Sequence, residues 1–206
     1  MANLRDPNIQ FWSPRHVLLK LHEDLLSIDQ IIYETSEEPL TTVEICVLAS
    51  EDHRFFRHKG VDLRSLLREM VRSLSGRRAR GASTIEMQLV RTITSRYDRT
   101  FRRKMREILL SLIIQLRYSK INMLRAYLRV AFFGSRLNGI EAASQKVFSS
   151  SSNNLDIDQA TKIASMLIYP LPLHPTQRWD DKISQRARKI RSLYAFHKEK
   201  LAKLEG

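Results

Sequence analysis

Two acidic residues, Glu51 and Asp52, stand side by side after an apolar run, in the segment ASEDHRFFRHKG at residues 49–60. The run itself, residues 43–49, predicts a helix, and a helix C-terminus carries partial negative charge that disfavours a further carboxylate. We therefore expect raised pKa values for these two acids, and a carboxylate with a raised pKa is a useful proton acceptor near neutral pH. The alternative is a surface pair of acids neutralised by Arg54 or Arg57.

A third acid, Glu107, follows Arg103 by four residues and Lys104 by three, in a segment with helical spacing. At this spacing the two cations stand on the same side of a helix as the carboxylate. That side is opposite an apolar face, so we expect the three charges to face a cleft; the apolar face comprises Phe101, Met105 and Leu112. The alternative is an exposed ion pair worth a few tenths of a kcal/mol.

An arginine-rich loop precedes another predicted helix in the segment GRRARGASTIEMQLVRT, bracketed by Gly76 and Gly81. Ser83 is predicted to cap that helix, with Glu86 completing a capping box. Free N–H groups at a helix start suit a phosphate, and three arginines stand nearby: Arg77, Arg78 and Arg80. The alternative is an ordinary solvated basic loop.

The composition of the chain restricts the number of domains, the class of ligand and the kinds of site that are possible. The chain has 206 residues, 43% of them hydrophobic, which is enough for one core, so we expect a single domain over residues 1–206. The net charge of +13 favours nucleic acid, a phosphorylated substrate or an anionic membrane surface. Cys46 is the only cysteine and lies in an apolar run, which excludes an internal disulfide and a multi-cysteine metal site.

Helical spacing of apolar residues dominates the chain, and strand alternation is absent. Thr41 with Glu44 and Asp156 with Gln159 can each form a capping box at a helix start. We expect an all-α fold with residues 99–117 as its central, mostly buried helix. Further helices are predicted at 42–50, 63–74, 84–94, 122–132, 140–148 and 182–200, and from residue 156 to a point before Pro170.

The order of these motifs resembles one known family. Five segments of the chain are similar to the successive motifs of family 51 glycosyltransferases, the peptidoglycan transglycosylases. In chain order these segments are EDHRFFRHKGVD, GASTIEMQLVRT, RRKMREILLSL, SKINMLRAYLRVAFFGSRLNGIEAASQKVF and LDIDQATKIASMLIYPLPLHP. The resemblance covers about residues 43–175, between an N-terminal extension at 1–40 and a basic helix at about 182–200. With no transpeptidase domain downstream, the chain looks like a monofunctional biosynthetic transglycosylase.

The resemblance implies a helical, lysozyme-like fold and polymerisation of lipid II, a disaccharide-pentapeptide on undecaprenyl diphosphate, into glycan strands. It implies that Glu51 is the general base that takes the proton of the acceptor sugar's 4-hydroxyl, with inversion at the donor's anomeric carbon. The residues expected to support this motif and the next are Asp52, Phe55, His58, Gly60 and Gly81.

The leaving diphosphate gains negative charge in the transition state, and basic residues can neutralise it. The resemblance implies that Arg103 and Lys104 do this and that Glu107 is the family's second essential glutamate. The remaining residues expected around the donor are Ser83, Thr84, Gln88 and Arg91. A divalent cation, Mg or Mn, is expected to be shared with the substrate diphosphate, because the chain has no metal motif of its own.

Several positions depart from the usual family motifs. Arg91 stands in place of lysine, which keeps the charge and changes its geometry. The other departures are Met87 for glutamine, Thr92 for asparagine, Arg125 for glutamate, Arg129 for asparagine, and Ser149 and Ser150 for glycine and lysine.

The sequence shows no membrane span and no apolar signal-peptide core, so we expect peripheral attachment at the outer face of the bacterial cytoplasmic membrane. Contact with the anionic surface is expected from the arginine-rich loop, from FWSP at residues 11–14 and from an apolar stripe that could equally pack into the core. The stripe comprises Leu66, Leu67, Met70, Val71 and Leu74. Cell-wall synthesis proteins are further expected partners.

Two other classes of function stay open. Two carboxylates in a helical cleft would also serve a lysozyme-type glycoside hydrolase, although the arginine-rich motifs favour transfer. A diverged, inactive relative that only binds glycan or lipid is the second alternative. Nucleic-acid binding is the weakest interpretation and is not expected, because it does not require carboxylates in this order.

Overall fold

The structure is a computed structural model that describes residues 14–32, 38–75, 82–98 and 100–205. The predicted all-α class is confirmed: apart from one two-stranded ribbon, the regular structure of these residues is helical. In chain order the helices are α1 Pro14–Ile31, α2 Thr42–Glu51, α3 Leu63–Leu74, α4 Ile85–Thr94, α5 Phe101–Arg117, α6 Lys120–Val130, α7 Ile140–Phe148, α8 Ile157–Met166 and α9 Gln177–Glu205.

Two of the three predicted capping boxes are present. The Thr41 hydroxyl accepts the Glu44 N–H at the start of α2, and Asp156 pairs in the same way with Gln159 at the start of α8. The apolar run of α2 is buried, and α2 packs against α8 and α9, while α4 packs against α5 and α6. Glu51, the last residue of α2, is thereby held against the core of the molecule.

The two-stranded ribbon was not predicted. α6 ends at Val130, where the sequence predicted a helix as far as residue 132, and the chain continues into β1, Phe132–Gly134, which pairs antiparallel with β2, Leu137–Asn138. Leu171 then extends this pairing, since its N–H donates to the Phe133 carbonyl at 2.8 Å. Strands this short leave no alternation in the sequence to find.

The predicted burial of α5 is wrong. Its buried face carries Glu107, Leu110, Ser111 and Ile114. The apolar residues expected to face the core are instead exposed, with Phe101 at 82% and Leu116 at 87% and with lower values for Met105, Leu109 and Leu112.

α3 has the same inverted arrangement. Ser65 and Glu69 are buried, whereas four residues of the predicted apolar stripe are exposed. Together with Leu63, which is also exposed, they form a set of five: Leu63, Leu67, Met70, Val71 and Leu74. We call these five residues the α3 apolar face, and Phe101, Met105, Leu109, Leu112 and Leu116 the α5 apolar face. Both helices turn polar side chains towards the core. The positions of their apolar residues therefore do not show which side of each helix is buried.

The N-terminal helix α1 packs against α4 and α5. Arg106 of α5 donates to Asp24 at 2.6 Å, and the Tyr118 hydroxyl donates to Asp29 at 2.6 Å. Within the residues that the structure describes, no helix has the length and apolar character needed to cross a membrane.

Candidate active site

The first part of the site is the end of α2. Arg186 of α9 donates to Oε1 of Glu51 at 2.6 Å, and the Ser50 hydroxyl lies 3.4 Å from the same oxygen. The Glu51 side chain is 9% exposed, and burial raises the pKa of its carboxyl group, while Arg186, Ser50 and Gln88 act to lower it. The expected rise in pKa is present, but its main physical cause is burial.

Arg186 was missed by the sequence analysis, which treated the C-terminal segment only as a basic helix. The signal that could have found it is the apolar spacing of Ile183, Ala187 and Ile190, which are buried. This spacing docks α9 on α2 and α8, and Arg186 lies beside that buried face. The long cationic side chain is then carried to the end of α2.

The loop after α2 holds the motif-supporting residues in one place. His58 Nε2 lies 3.0 Å from Asp52 Oδ2, and the same carboxylate oxygen accepts the N–H of Ile85, the first residue of α4, at 3.1 Å. Phe55 is buried, and its ring contacts the imidazole of His58 edge-on, with 6.3 Å between the ring centroids. The loop thus connects the end of α2 to the start of α4.

Gly60 is required by both backbone and space. Its φ of +78° favours glycine, and a Cβ at this position would lie 2.5 Å from the carbonyl oxygen of Ser111 in α5. Its own carbonyl accepts the Thr84 hydroxyl at 2.7 Å. The glycine therefore lets the loop approach α5 and the start of α4 together.

The second part of the site is a cluster of cations around Glu107, whose side chain is 3% exposed. Arg91 donates to both carboxylate oxygens, at 2.7 and 3.2 Å, and Arg103 donates to Oε1. Lys104 Nζ lies 3.6 Å from Oε2. The exposed-pair alternative for Glu107 is excluded by this burial, and the local sum is three positive charges against one negative charge.

Ser83 joins this cluster rather than capping α4 as predicted. Its hydroxyl oxygen lies 3.1 Å from both Arg91 Nη2 and Lys104 Nζ. The cap is supplied by Thr84, which accepts the Met87 N–H. The cap therefore lies one residue later than predicted, and the predicted capping box with Glu86 does not form, since the Glu86 side chain accepts from Lys120 instead. Ser83 is thereby free to contact the cations.

The surroundings shift the pKa values of Arg91 in α4 and Lys104 in α5 in opposite directions. Hydrogen bonding to Glu107 raises the pKa of Arg91, which stays fully protonated. Burial lowers the pKa of Lys104, although Glu107 acts against this shift. Lys104 is consequently the member of the cluster that alkaline pH can neutralise first.

α4 links the two parts of the site. Gln88 acts to lower the pKa of Glu51, and its side-chain oxygen accepts the Tyr127 hydroxyl at 2.7 Å. Burial raises the pKa of that tyrosine. Arg91, three residues and roughly 4.5 Å further along the helix axis, holds Glu107. α4 thus carries one residue near a buried carboxylate with a raised pKa and another residue in the cation cluster. Tyr127 was not predicted as a site residue.

The family model described as Transglycosylase matches residues 27–194. This chain belongs to the Transglycosylase family. It is 34% identical over 134 residues to the biosynthetic peptidoglycan transglycosylase of Thiobacillus denitrificans, which covers 65% of this chain and 55% of that protein. The corresponding protein of Bdellovibrio bacteriovorus is 36% identical over 134 residues, covering 65% of this chain and 54% of that one.

A longer relative is penicillin-binding protein 1F of Bacillus subtilis, 31% identical over 181 residues. That alignment covers 82% of this chain and 25% of the relative. The chain therefore spans between a quarter and a little over half of the length of these three Transglycosylase relatives.

Some positions that depart from the family motifs belong to the site, and others do not. Met87 is buried, with its sulfur 3.9 Å from Lys104 Nζ, and the Thr92 hydroxyl donates to the backbone of Gln88. Ser149 has a left-handed backbone at the end of α7, with φ 53°, a conformation that glycine adopts more readily. Nothing in the structure explains Ser150.

Arg125 and Arg129 lie elsewhere. Arg125 pairs with Glu44 at 2.9 Å, and Arg129 donates to the Ile31 carbonyl at 3.0 Å. Both line a cavity of about 320 Å³ near the start of α2, which none of the predicted site residues lines. These two departures therefore leave the surroundings of Glu51 unchanged.

Some predicted features lie outside the described residues. These are Gly81, the arginines Arg77, Arg78 and Arg80, and residues 11–13 of the FWSP segment.

Proposed function

We propose that this chain is a peptidoglycan glycosyltransferase that polymerises lipid II into glycan strands. The observation that carries the proposal is the position of α4: its Gln88 acts on the pKa of the buried Glu51 carboxylate, and its Arg91 belongs to the cation cluster. A proton acceptor beside an excess of positive charge suits a reaction in which a hydroxyl attacks and a diphosphate leaves. Membership of the Transglycosylase family supports the same reaction.

In this mechanism Glu51 takes the proton from the acceptor's 4-hydroxyl as that oxygen forms a bond to the donor's anomeric carbon. The bond from that carbon to the diphosphate oxygen breaks with inversion, and the diphosphate leaves with the electron pair. Arg91, Arg103 and Lys104 neutralise the charge that it gains. Burial of Glu51 keeps its basicity high, whereas Arg186 limits it.

Glu107 acts in this proposal by holding the cations. Its carboxylate is paired with the three cations of the cluster. In a glycosidase the second carboxyl group donates a proton to the leaving group, and a carboxylate paired in this way does not suit that role. This contact set favours transfer over hydrolysis.

A metal ion is a separate question. The described residues of the cation cluster do not fit a divalent ion, because their one carboxylate already binds three cations. We propose that any Mg or Mn involved is held by the diphosphate oxygens of the substrate.

The reaction is tested with purified protein and labelled lipid II. Uncross-linked polymer and released undecaprenyl diphosphate are expected, and the same protein should not solubilise purified sacculi. New reducing ends from sacculi would instead establish a hydrolase, and lipid II binding without polymer would establish a binding protein. Parallel reactions with a chelator, and with the metal restored, test the metal requirement.

We also propose that the protein approaches its substrate peripherally, from the outer face of the cytoplasmic membrane. The α3 and α5 apolar faces support this, because contiguous exposed apolar residues on a basic protein suit a lipid surface. Arg64, Arg68 and Arg72 repeat every four residues along α3 and can reach anionic headgroups, each worth about 1 kcal/mol near the surface.

Cosedimentation with liposomes tests the membrane proposal. Binding to anionic vesicles is expected to weaken as salt rises, and the triple variant Leu67→Ser, Met70→Ser, Leu112→Ser should bind less at every salt concentration. Leu173→Ser is the matched control, since Leu173 is 68% exposed but lies outside both faces. Equal binding by the triple variant and the control would contradict the proposal.

A further inference from the structure

A compact group of polar side chains lies next to the end of α2. Ligand atoms of Asp52, His58 and Glu86 all lie within 4.8 Å of one another, a spacing that could suit a metal ion. Lys120 of α6 already brings a cation there: its ammonium donates to Glu86 and lies 3.4 Å from His58 Nδ1. The cation that these groups hold is therefore the lysine itself.

The ammonium determines which nitrogen of His58 carries the proton. An ammonium group only donates hydrogen bonds, so Nδ1 must accept from Lys120. Nε2 then carries the proton and donates it to Asp52, from which it is 3.0 to 3.1 Å away. The contacts thus select the tautomer of His58 that carries its proton on Nε2.

Glu86 holds the lysine in place. Glu86 is fully buried, and the Lys120 side chain is 15% exposed. The Lys120 nitrogen also lies 4.6 Å from the centroid of the Phe55 ring, within range of a cation–π contact. Because a buried ion that loses its partner is costly, the pair fixes α6 against α4.

Asp52 transmits this arrangement to the site. It follows Glu51 directly, ends α2 and accepts the N–H of Ile85 at the start of α4. α4 in turn carries Gln88 and Arg91. These polar side chains therefore connect α2, α4 and α6, and the connection fixes the position of Glu51 relative to the cation cluster.

We propose that Lys120 is a positioning residue for the candidate base: held by Glu86, its ammonium fixes His58 and through it Asp52, and so aligns Glu51 with the cations of α4. The proposal rests on the proposed role of Glu51. It assigns Lys120 no contact with substrate.

The first test is spectroscopic and independent of activity. Protein labelled with ¹⁵N at histidine should show His58 with its proton on Nε2 and with Nδ1 accepting a hydrogen bond. In Lys120→Met the donor to Nδ1 is lost, so the ¹⁵N chemical shift of Nδ1 should move. In Glu86→Gln the lysine loses its buried partner, so the same shift should move in the same direction by a smaller amount. An unchanged His58 spectrum in Lys120→Met would overturn the proposal.

The second test is kinetic. Misplacement by about 1 Å can cost about 10²-fold in rate, so Lys120→Met should lower kcat for lipid II by about that factor while KM changes a few-fold. Glu86→Gln should lower kcat less, and the double variant should be no slower than Lys120→Met because both residues act through one contact. Lys162→Met is the matched control, since Lys162 is exposed on α8.

A normal kcat in Lys120→Met, or fully additive losses in the double variant, would refute the positioning role. If Lys120→Met does not fold, Glu86→Gln provides the test. A Glu86→Gln protein with both the kcat and the His58 spectrum of the wild type would refute the positioning role of Lys120. A failure of Glu51 as the base is seen separately, as normal polymerisation by Glu51→Gln.

Discussion

Glu51 and Glu107 are both buried glutamates of the candidate site, and their partners differ. Among the residues that the structure describes, Glu51 faces one cation, Arg186 of the C-terminal helix, whereas Glu107 is surrounded by Arg91, Arg103 and Lys104. Burial raises the pKa of Glu51 despite its one cation. The comparison teaches that two carboxylates of similar burial can have different surroundings: Glu51 contacts one described cation, whereas Glu107 holds three.

The largest expected effect is on the Glu51 side of this comparison. Glu51→Gln keeps the shape of the side chain and removes the base, so the rate of lipid II polymerisation should fall by about 10² to 10⁴. Lipid II binding and the melting temperature should change little. Glu23→Gln, an exposed glutamate in α1, is the control. Polymerisation by Glu51→Gln within a few-fold of wild type would assign the base elsewhere.

Glu107→Gln should act mainly on stability and donor binding. It leaves three neighbouring cations without their carboxylate, and breaking a buried ion pair costs about 3 kcal/mol of unfolding free energy. Urea denaturation measures this loss, and KM for lipid II should rise because the cations separate. If Glu107→Gln instead matched Glu51→Gln, with a large loss of kcat at full stability, the distinction between the two glutamates would fail.

The variant Arg186→Met tests whether the cation beside Glu51 controls the pKa of that carboxyl group. Arg186 acts to lower the pKa of Glu51, so its removal should raise that pKa further. Since the base works only when deprotonated, the acidic limb of the pH–rate profile should move to higher pH, with a smaller change on the alkaline side. Arg188→Met, an exposed neighbour on α9, should leave the profile in place. An acidic limb that stays where it is would show that Arg186 does not tune the base.

The smallest effect is expected for Lys104→Arg on the Glu107 side. Burial lowers the pKa of Lys104, so part of the decline in rate at alkaline pH should come from loss of this charge. Arginine remains protonated throughout this range and should extend the plateau to higher pH, with a rate at neutral pH within a few-fold of wild type. The pH–rate profiles of the two proteins provide the measurement, and identical alkaline limbs would assign that decline to another group.

The sequence predicted elements best where local chemistry fixes them. The capping boxes at Thr41 and Asp156 placed α2 and α8 correctly, because a cap depends on residues three positions apart. The face of α5 was predicted wrongly because apolar periodicity identifies an amphipathic helix without saying which side meets the core. There Glu107 and Ser111 turn inward and the apolar residues turn outward.

The sequence alone determined the helical class, the order of the motifs and the two cations that precede Glu107, since these follow from residue types and short spacings. The choice of Glu51 as candidate base came from the resemblance of the motif order to a known family. Only the tertiary structure decided the contacts between distant segments: Arg186 reaches Glu51 across 135 positions, Lys120 reaches Glu86 across 34, and Arg91 reaches Glu107 across 16. The physical reason is that a long, flexible cationic side chain has many possible partners along the sequence. Packing of the helices selects one carboxylate by placing it within reach and removing it from water.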